Sequence, residues 1–138
     1  MVEPEKAWDV ATLAPGDWRY EKQLTGSVAQ YGPPAGPRIA LLRCDSATRQ
    51  ITLSIDGVGA SGASVPVVIR TTSGTLAWSG VGNAAADQFV AITRPATDPG
   101  FNWIAYSRGR ISVEPQGKAR LILPVWAEIA RVIEDCRG

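Results

Sequence analysis

Between Trp18 and Leu123 the chain is cut into short runs of β-branched and aromatic residues, each bounded by residues that favour turns. Gln50 to Ile55 (QITLSI) sets Ile51, Leu53 and Ile55 on one face and Thr52 and Ser54 on the other. That period of two is the signature of a half-buried strand. Arg38 to Cys44 (RIALLRC) is apolar almost throughout, which predicts a strand covered on both faces. The DSATR between the two makes them a hairpin. Val65 to Thr71 is a further β-branched run, with Pro66 near its start, a position suited to an edge strand. Thr75 to Ser79, with Leu76 and Trp78 on one face, and Gln88 to Thr93 extend the series. Upstream, Trp18 to Gln23 (WRYEKQ) and VAQYG flank a Thr-Gly-Ser turn. The GPPAGPR that follows cannot pair in a sheet, because its prolines lack the amide donor, and it reads as a stiff surface loop. Seven or so short strands at this spacing predict a mainly β fold, an antiparallel β-sandwich or open barrel.

From Pro95 the pattern changes. Asp98 followed by Pro99 reads as a helix cap with proline in the first position, and FNWIAYS carries about two turns. Phe101, Ile104 and Ala105 would share its buried face. Arg110 to Glu114 and Lys118 to Leu123 predict a hairpin around PQG. Pro124 opens a C-terminal amphipathic helix in which Trp126, Ile129, Ala130 and Ile133 form one apolar stripe, with Cys136 close to it. The expected organisation is an N-terminal arm over residues 1–16, with Trp8 tucked against the body. Residues 17–138 then form a single β-rich domain closed by the helix at 124–137.

The charge balance narrows function. The formal net charge is +1, and 11 of the 14 basic residues are arginines scattered without a run. Such a chain has no global field for nucleic acid or an anionic bilayer, so no nucleic-acid partner is expected. Histidine is absent. Its absence excludes Ser-His-Asp and Cys-His nucleophiles, His-ligated zinc and an imidazole pH switch. No apolar run approaches the ~20 residues of a membrane helix, so no membrane span is expected. The first residues, MVEPEK, lack the apolar core of a signal peptide, so an exported protein would be a mature form with its signal peptide removed.

Four motifs bear on chemistry. GVGASG at residues 57–62 spells GxGxxG, but a strand-like ASVPVVIR follows where a dinucleotide loop needs a helix. A hairpin loop is the better reading, and no cofactor is expected. Cys44 and Cys136 read as a disulfide that staples the last helix to the sheet. A reactive thiol with a bystander, or two free thiols, are the alternatives, and the first lacks its usual histidine base. SRGR at Ser107 to Arg110 is either a helix C-terminus with Gly109 left-handed or an anion-binding turn. Trp103 and Tyr106 beside it join Arg108 and Arg110 as a candidate contact surface, while Trp18, Trp78 and Trp126 fall on faces expected to be core. No particular carboxylate pair stands out.

The LRCD at Leu42 to Asp45, Trp78, the YSRGRISVEP run and the terminal LPVWAEIARVIEDC resemble small exported bacterial proteins of the invasion-associated locus B kind, and the similar type VI secretion-associated proteins. The likeness runs over about two-thirds of the chain, from residue 38 onward. It implies an exported β-sandwich with a C-terminal helix, a disulfide and no known catalytic activity. This chain departs from the first group in having no cysteine near WRYEKQ. The expected function is a non-catalytic periplasmic or cell-envelope protein that binds another macromolecule, a protein or envelope partner. A small periplasmic inhibitor of the lysozyme-inhibitor type is the alternative, and a carboxylate-based enzyme a third.

Overall fold

Alternation along the strands decides which side of the sheet is buried. In the run Ala40–Asp45 the side chains of Ala40, Leu42 and Cys44 are buried while Leu41 is half-buried and Arg43 exposed. Ile51, Leu53 and Ile55 do the same in the next strand. The computed structural model describes residues 7–56, 64–83 and 89–138. The strands in these residues are β1 (Asp17–Gln23), β2 (Gly26–Gly32), β3 (Ala40–Asp45), β4 (Gln50–Asp56) and β5 (Ser64–Thr71). They continue with β6 (Gly74–Asn83), β7 (Phe89–Pro95), β8 (Arg110–Pro115) and β9 (Leu121–Pro124). Two α-helices accompany them, α1 (Gly100–Ala105) and α2 (Ala127–Arg137). The GVGASG segment and Gln88 lie outside the described residues.

All pairings are antiparallel, in the order β1-β2-β3-β4-β7-β6-β5-β8-β9, and the sheet curls into a half-barrel. Register aligns the inner residues in rows. Tyr31, Ala40, Ile55 and Val90 stand opposite one another across β2, β3, β4 and β7, as do Ala29, Leu42, Leu53 and Ile92. The next row holds Ser27, Cys44, Ile51 and Arg94. Both helices add to this core, α1 through Phe101 and Ile104 and α2 through Ile129, Val132, Ile133 and Cys136.

Three sequence expectations change. The strand β3 is covered on its inner face alone, because the helices pack on one side and its Arg43 side faces solvent. β5 is interior, between β6 and β8, despite Pro66. The Pro66 carbonyl accepts from Gln116 N at 2.9 Å, so its backbone faces the β8 side, and the β8 ladder spans only Val67 to Arg70. The missing amide falls just past the end of that ladder, where it costs no pairing. Finally, Pro124 ends β9 and α2 starts three residues later, at Ala127. The helix is thereby turned: Val132 joins the buried stripe, and Trp126, at the N-cap, is 40% exposed.

The N-terminal segment is held across the two ends of the sheet. Ala14 N donates to Ile122 O at 2.8 Å and Tyr31 Oη to Ala14 O at 2.5 Å. The indole of Trp18 on β1 donates to Pro124 O at the end of β9, at 2.8 Å, and packs on the Tyr31 ring. Trp8, in a 3₁₀ turn over Trp8–Val10, is half-buried.

Candidate functional site

Cys44 on β3 and Cys136 in the last turn of α2 are joined by a disulfide, with their Cα atoms 5.4 Å apart. The burial of both residues follows from the rows above: α2 lays Cys136 onto the inner row that contains Cys44 and Ile51. Beside the staple, Tyr20 on β1 donates to an Asp135 oxygen, and the Arg131 guanidinium lies 4.0 Å from the Tyr20 ring centre. Burial raises the Asp135 carboxyl. Hydrogen bonds from Tyr20 and Ser27 and the charges of Lys22 and Arg131 outweigh it and hold the group below the usual carboxylate range. The Ser27 hydroxyl is fully buried and makes no hydrogen bond of normal geometry among the described residues, so Tyr20 is the firmer support.

α1 is the second focus. It starts one residue later than the sequence predicts, with Pro99 at the N-cap and Gly100 first, and Asp98 Oδ1 just ahead of it accepts the Gly100 amide at 2.8 Å. The other carboxylate oxygen takes Arg94 Nε at 2.8 Å, and that guanidinium lies 5.3 Å from the Trp78 ring centre. Gly100 is required here because a Cβ would stand 2.4 Å from Trp78 Cζ2. The helix is also tied to the end of α2, with Arg137 Nε donating to Ala96 O at 2.7 Å and Nη1 to Asn102 Oδ1 at 2.6 Å.

The turn after α1 is laced to the β5–β6 turn. Thr72 N donates to Ser107 Oγ at 3.1 Å, Arg108 N to Thr72 Oγ1 at 3.1 Å, and Ser107 Oγ to Arg110 O at 2.6 Å. Gly109 has φ 81°, the left-handed conformation expected of it. The Trp103 ring covers Gly74, whose missing side chain leaves room for it.

This arrangement sorts the four candidate contact residues. Tyr106 is 76% exposed, Trp103 37%, and Arg108 is exposed. Arg110 is not on the surface they form in the same way. It is half-buried and its Nη1 donates to Ala11 O, so it clamps the N-terminal segment to β8. The same turn holds another segment, since Gly109 O accepts Val125 N at 3.0 Å. Exposed Val10 on the clamped segment and Trp126 beside Val125 therefore belong to elements anchored at this turn. Sequence reasoning passed over both. Val10 lies in a segment with no periodicity, and Trp126 fits a helical stripe that the true helix start displaces.

A shallow cleft of about 330 Å³ lies on the outer side of β1 and β2, lined by Arg19, Glu21, Gln30, Pro33 and Arg38 among others. Arg38 is paired there with Asp56 at 2.7 Å. Among the described residues there is no group of three or more Cys, Asp or Glu side chains able to hold a metal ion, and no helix is long and apolar enough to cross a membrane. No protein-family model, curated protein or solved structure matches this chain.

Proposed function

We propose that the chain is a non-catalytic binding protein of the periplasm or cell envelope, meeting a protein partner through Trp103, Tyr106 and Arg108. The observation that carries this reading is the fixed backbone beneath three outward-facing large side chains. Asp98, Arg137 and the Thr72–Ser107 lacing hold α1 and its turn before any partner arrives. Aromatic and arginine side chains supply most hot-spot energy in protein interfaces, and a surface already ordered loses less entropy on binding. The disulfide, formed most readily in oxidising compartments, supports the assignment to the envelope. So does the resemblance to exported proteins noted above.

The test is capture from an envelope extract with the wild-type chain and with Tyr106→Ala/Arg108→Ala, both checked for equal melting temperature. Binding through this surface predicts a specific partner lost, or weakened at least ~30-fold, in the variant. An identical captured set with both proteins overturns the reading. Inhibition of lysozyme by the wild-type chain would select the inhibitor reading instead.

A further inference from the structure

Beyond Ile133 the last turn of α2 has one buried side chain left, Cys136. Helix ends fray unless something holds them. The Tyr20 bond to Asp135 helps to hold this turn, but the tie from Cys136 to Cys44 on β3 is the covalent one. The residue after the staple is bonded to another element. Arg137 Nε donates to Ala96 O at 2.7 Å, Nη1 to Asn102 Oδ1 at 2.6 Å and Nη2 to Asp98 O at 3.5 Å. Ala96 is buried, so its carbonyl is costly to leave without a donor.

A second arginine points to the same junction. Arg49 has φ 54°, the one positive value at a non-glycine position among the described residues. That conformation favours Gly or Asn, so an arginine there needs a reason. Its side chain supplies one, because Nη1 donates to Arg137 O at 3.3 Å, while its own carbonyl accepts Ala96 N at 2.9 Å. The β3–β4 turn, the approach to α1 and the end of α2 therefore meet at Arg49, Ala96 and Arg137. The disulfide lies beside them, with Cys136 Sγ 3.4 Å from the carbonyl of Gln50.

We propose that the staple governs α1 through this junction, so that the contact surface of Trp103, Tyr106 and Arg108 is competent only in the oxidised chain. This regulation rests on the reading of those three residues as the surface for a partner. In the oxidised chain Cys136 cannot leave β3, and Arg137 is held against Ala96 and Asn102, the residue before Trp103. With two free thiols the last turn opens at the expense of local contacts alone, and α1 loses the tie at its first turn. The staple closes by thiol–disulfide exchange with the disulfide of an oxidant protein. That bond breaks, its two sulfurs leave as thiols carrying the two hydrogens of Cys44 and Cys136, and the Cys44–Cys136 bond forms. Oxidants of this class work in oxidising compartments, so the chain gains its surface only on reaching one.

Hydrogen exchange read by mass spectrometry tests the coupling. Wild type and Arg137→Ala are each measured oxidised and phosphine-reduced, well below the Tm, comparing α1 with β4 in the same sample. In wild type, reduction is expected to speed exchange in α1 about tenfold more than in β4. Arg137→Ala should show that increase with its disulfide intact, and reducing the variant should add little, since both changes cut the same link. Exchange in α1 that reduction leaves unchanged relative to β4 overturns the proposal. So does an Arg137→Ala chain whose α1 still responds fully to reduction, because the signal then bypasses Arg137. Capture from an envelope extract separates this coupling from the surface itself. A partner held equally by oxidised and reduced chains, yet lost by Tyr106→Ala/Arg108→Ala, removes the coupling and keeps the surface. An α1 that responds as expected, with one captured set common to every form, removes the surface and keeps the coupling.

Discussion

Reducing the Cys44–Cys136 bond removes a cross-link across a sequence separation of 92 and leaves the inner packing of α2 in place. In the chain-entropy treatment, closing a loop of that length restricts the denatured ensemble by roughly 16 cal/mol/K, or about 4.6 kcal/mol at 25 °C. A chain of 138 residues melts with an entropy of roughly 290 cal/mol/K, so the loss corresponds to a fall in Tm of about 16 °C. The folded form should persist below the lowered Tm, because Ile129, Val132 and Ile133 stay buried and each contributes roughly 1.5–3 kcal/mol of transfer energy. Differential scanning calorimetry with and without a phosphine reductant measures the shift. Urea titration adds an independent reading: the reduced chain unfolds to a more open ensemble, so its m-value should rise. A Tm change below about 4 °C with the bond demonstrably cut, or an unchanged m-value, would refute the loop argument. The stabilisation would then lie in native packing around the sulfurs.

Two further substitutions probe the supports of the helices. The Asp135 carboxyl is held below its ordinary value of 3.8, so its stabilising effect is present above that pH and is lost as the pH falls through the lower folded value. Asp135→Asn should therefore be less stable than wild type by about 0.5–1 kcal/mol at neutral pH, an allowance that includes solvent screening, and the gap should narrow as the pH falls below 3.8 and through the lower folded value. Urea titrations at pH 7 and pH 2.5 check both ends, and a gap independent of pH would remove the ionic account. Gly100→Ala places a methyl group 2.4 Å from Trp78 Cζ2 and 3.1 Å from Leu76 Cδ1. It should destabilise the fold by about 1–3 kcal/mol despite the better helix propensity of alanine, with a change in tryptophan emission. Unaltered stability would mean that α1 sits less tightly on β6 than these distances require.

The strands were legible wherever one face is buried, because the pleat then writes the buried face into every second residue. Gln50 to Ile55 is the plainest case, and Ile51, Leu53 and Ile55 occupy the inner rows as expected. Arg38 to Cys44 misled because Ile39 and Leu41 are apolar yet only half-buried. Strand order was not legible. Pro66 marks an edge only if its missing amide would have to donate to the strand it faces, and here the β8 ladder stops one residue short of it. In α2 the stripe through Trp126 and Ala130 and the stripe through Val132 are nearly equivalent on a helical projection. What separates them is the helix start, which is postponed because Pro124 still stands opposite Arg110 in the β8–β9 register and Val125 N donates to Gly109 O. Of the candidate surface, Trp103, Tyr106 and Arg108 are exposed, while Arg110 serves the N-terminal segment. A guanidinium that seeks a backbone carbonyl 99 residues away leaves no trace in local sequence.

The bond between the Trp18 indole and Pro124 O spans 106 residues. Connectivity alone fixes what this means during synthesis. The β1–β4 meander is complete once residue 56 has emerged, and its pairings are all between neighbours in sequence. Trp18 and Tyr31, by contrast, line a mouth whose opposite lip, at Pro124, is made 106 residues after Trp18. No nascent chain that stops before residue 124 can shut that mouth. The Trp18–Tyr31 pair therefore has to wait, without its final partner, until the β8–β9 hairpin arrives.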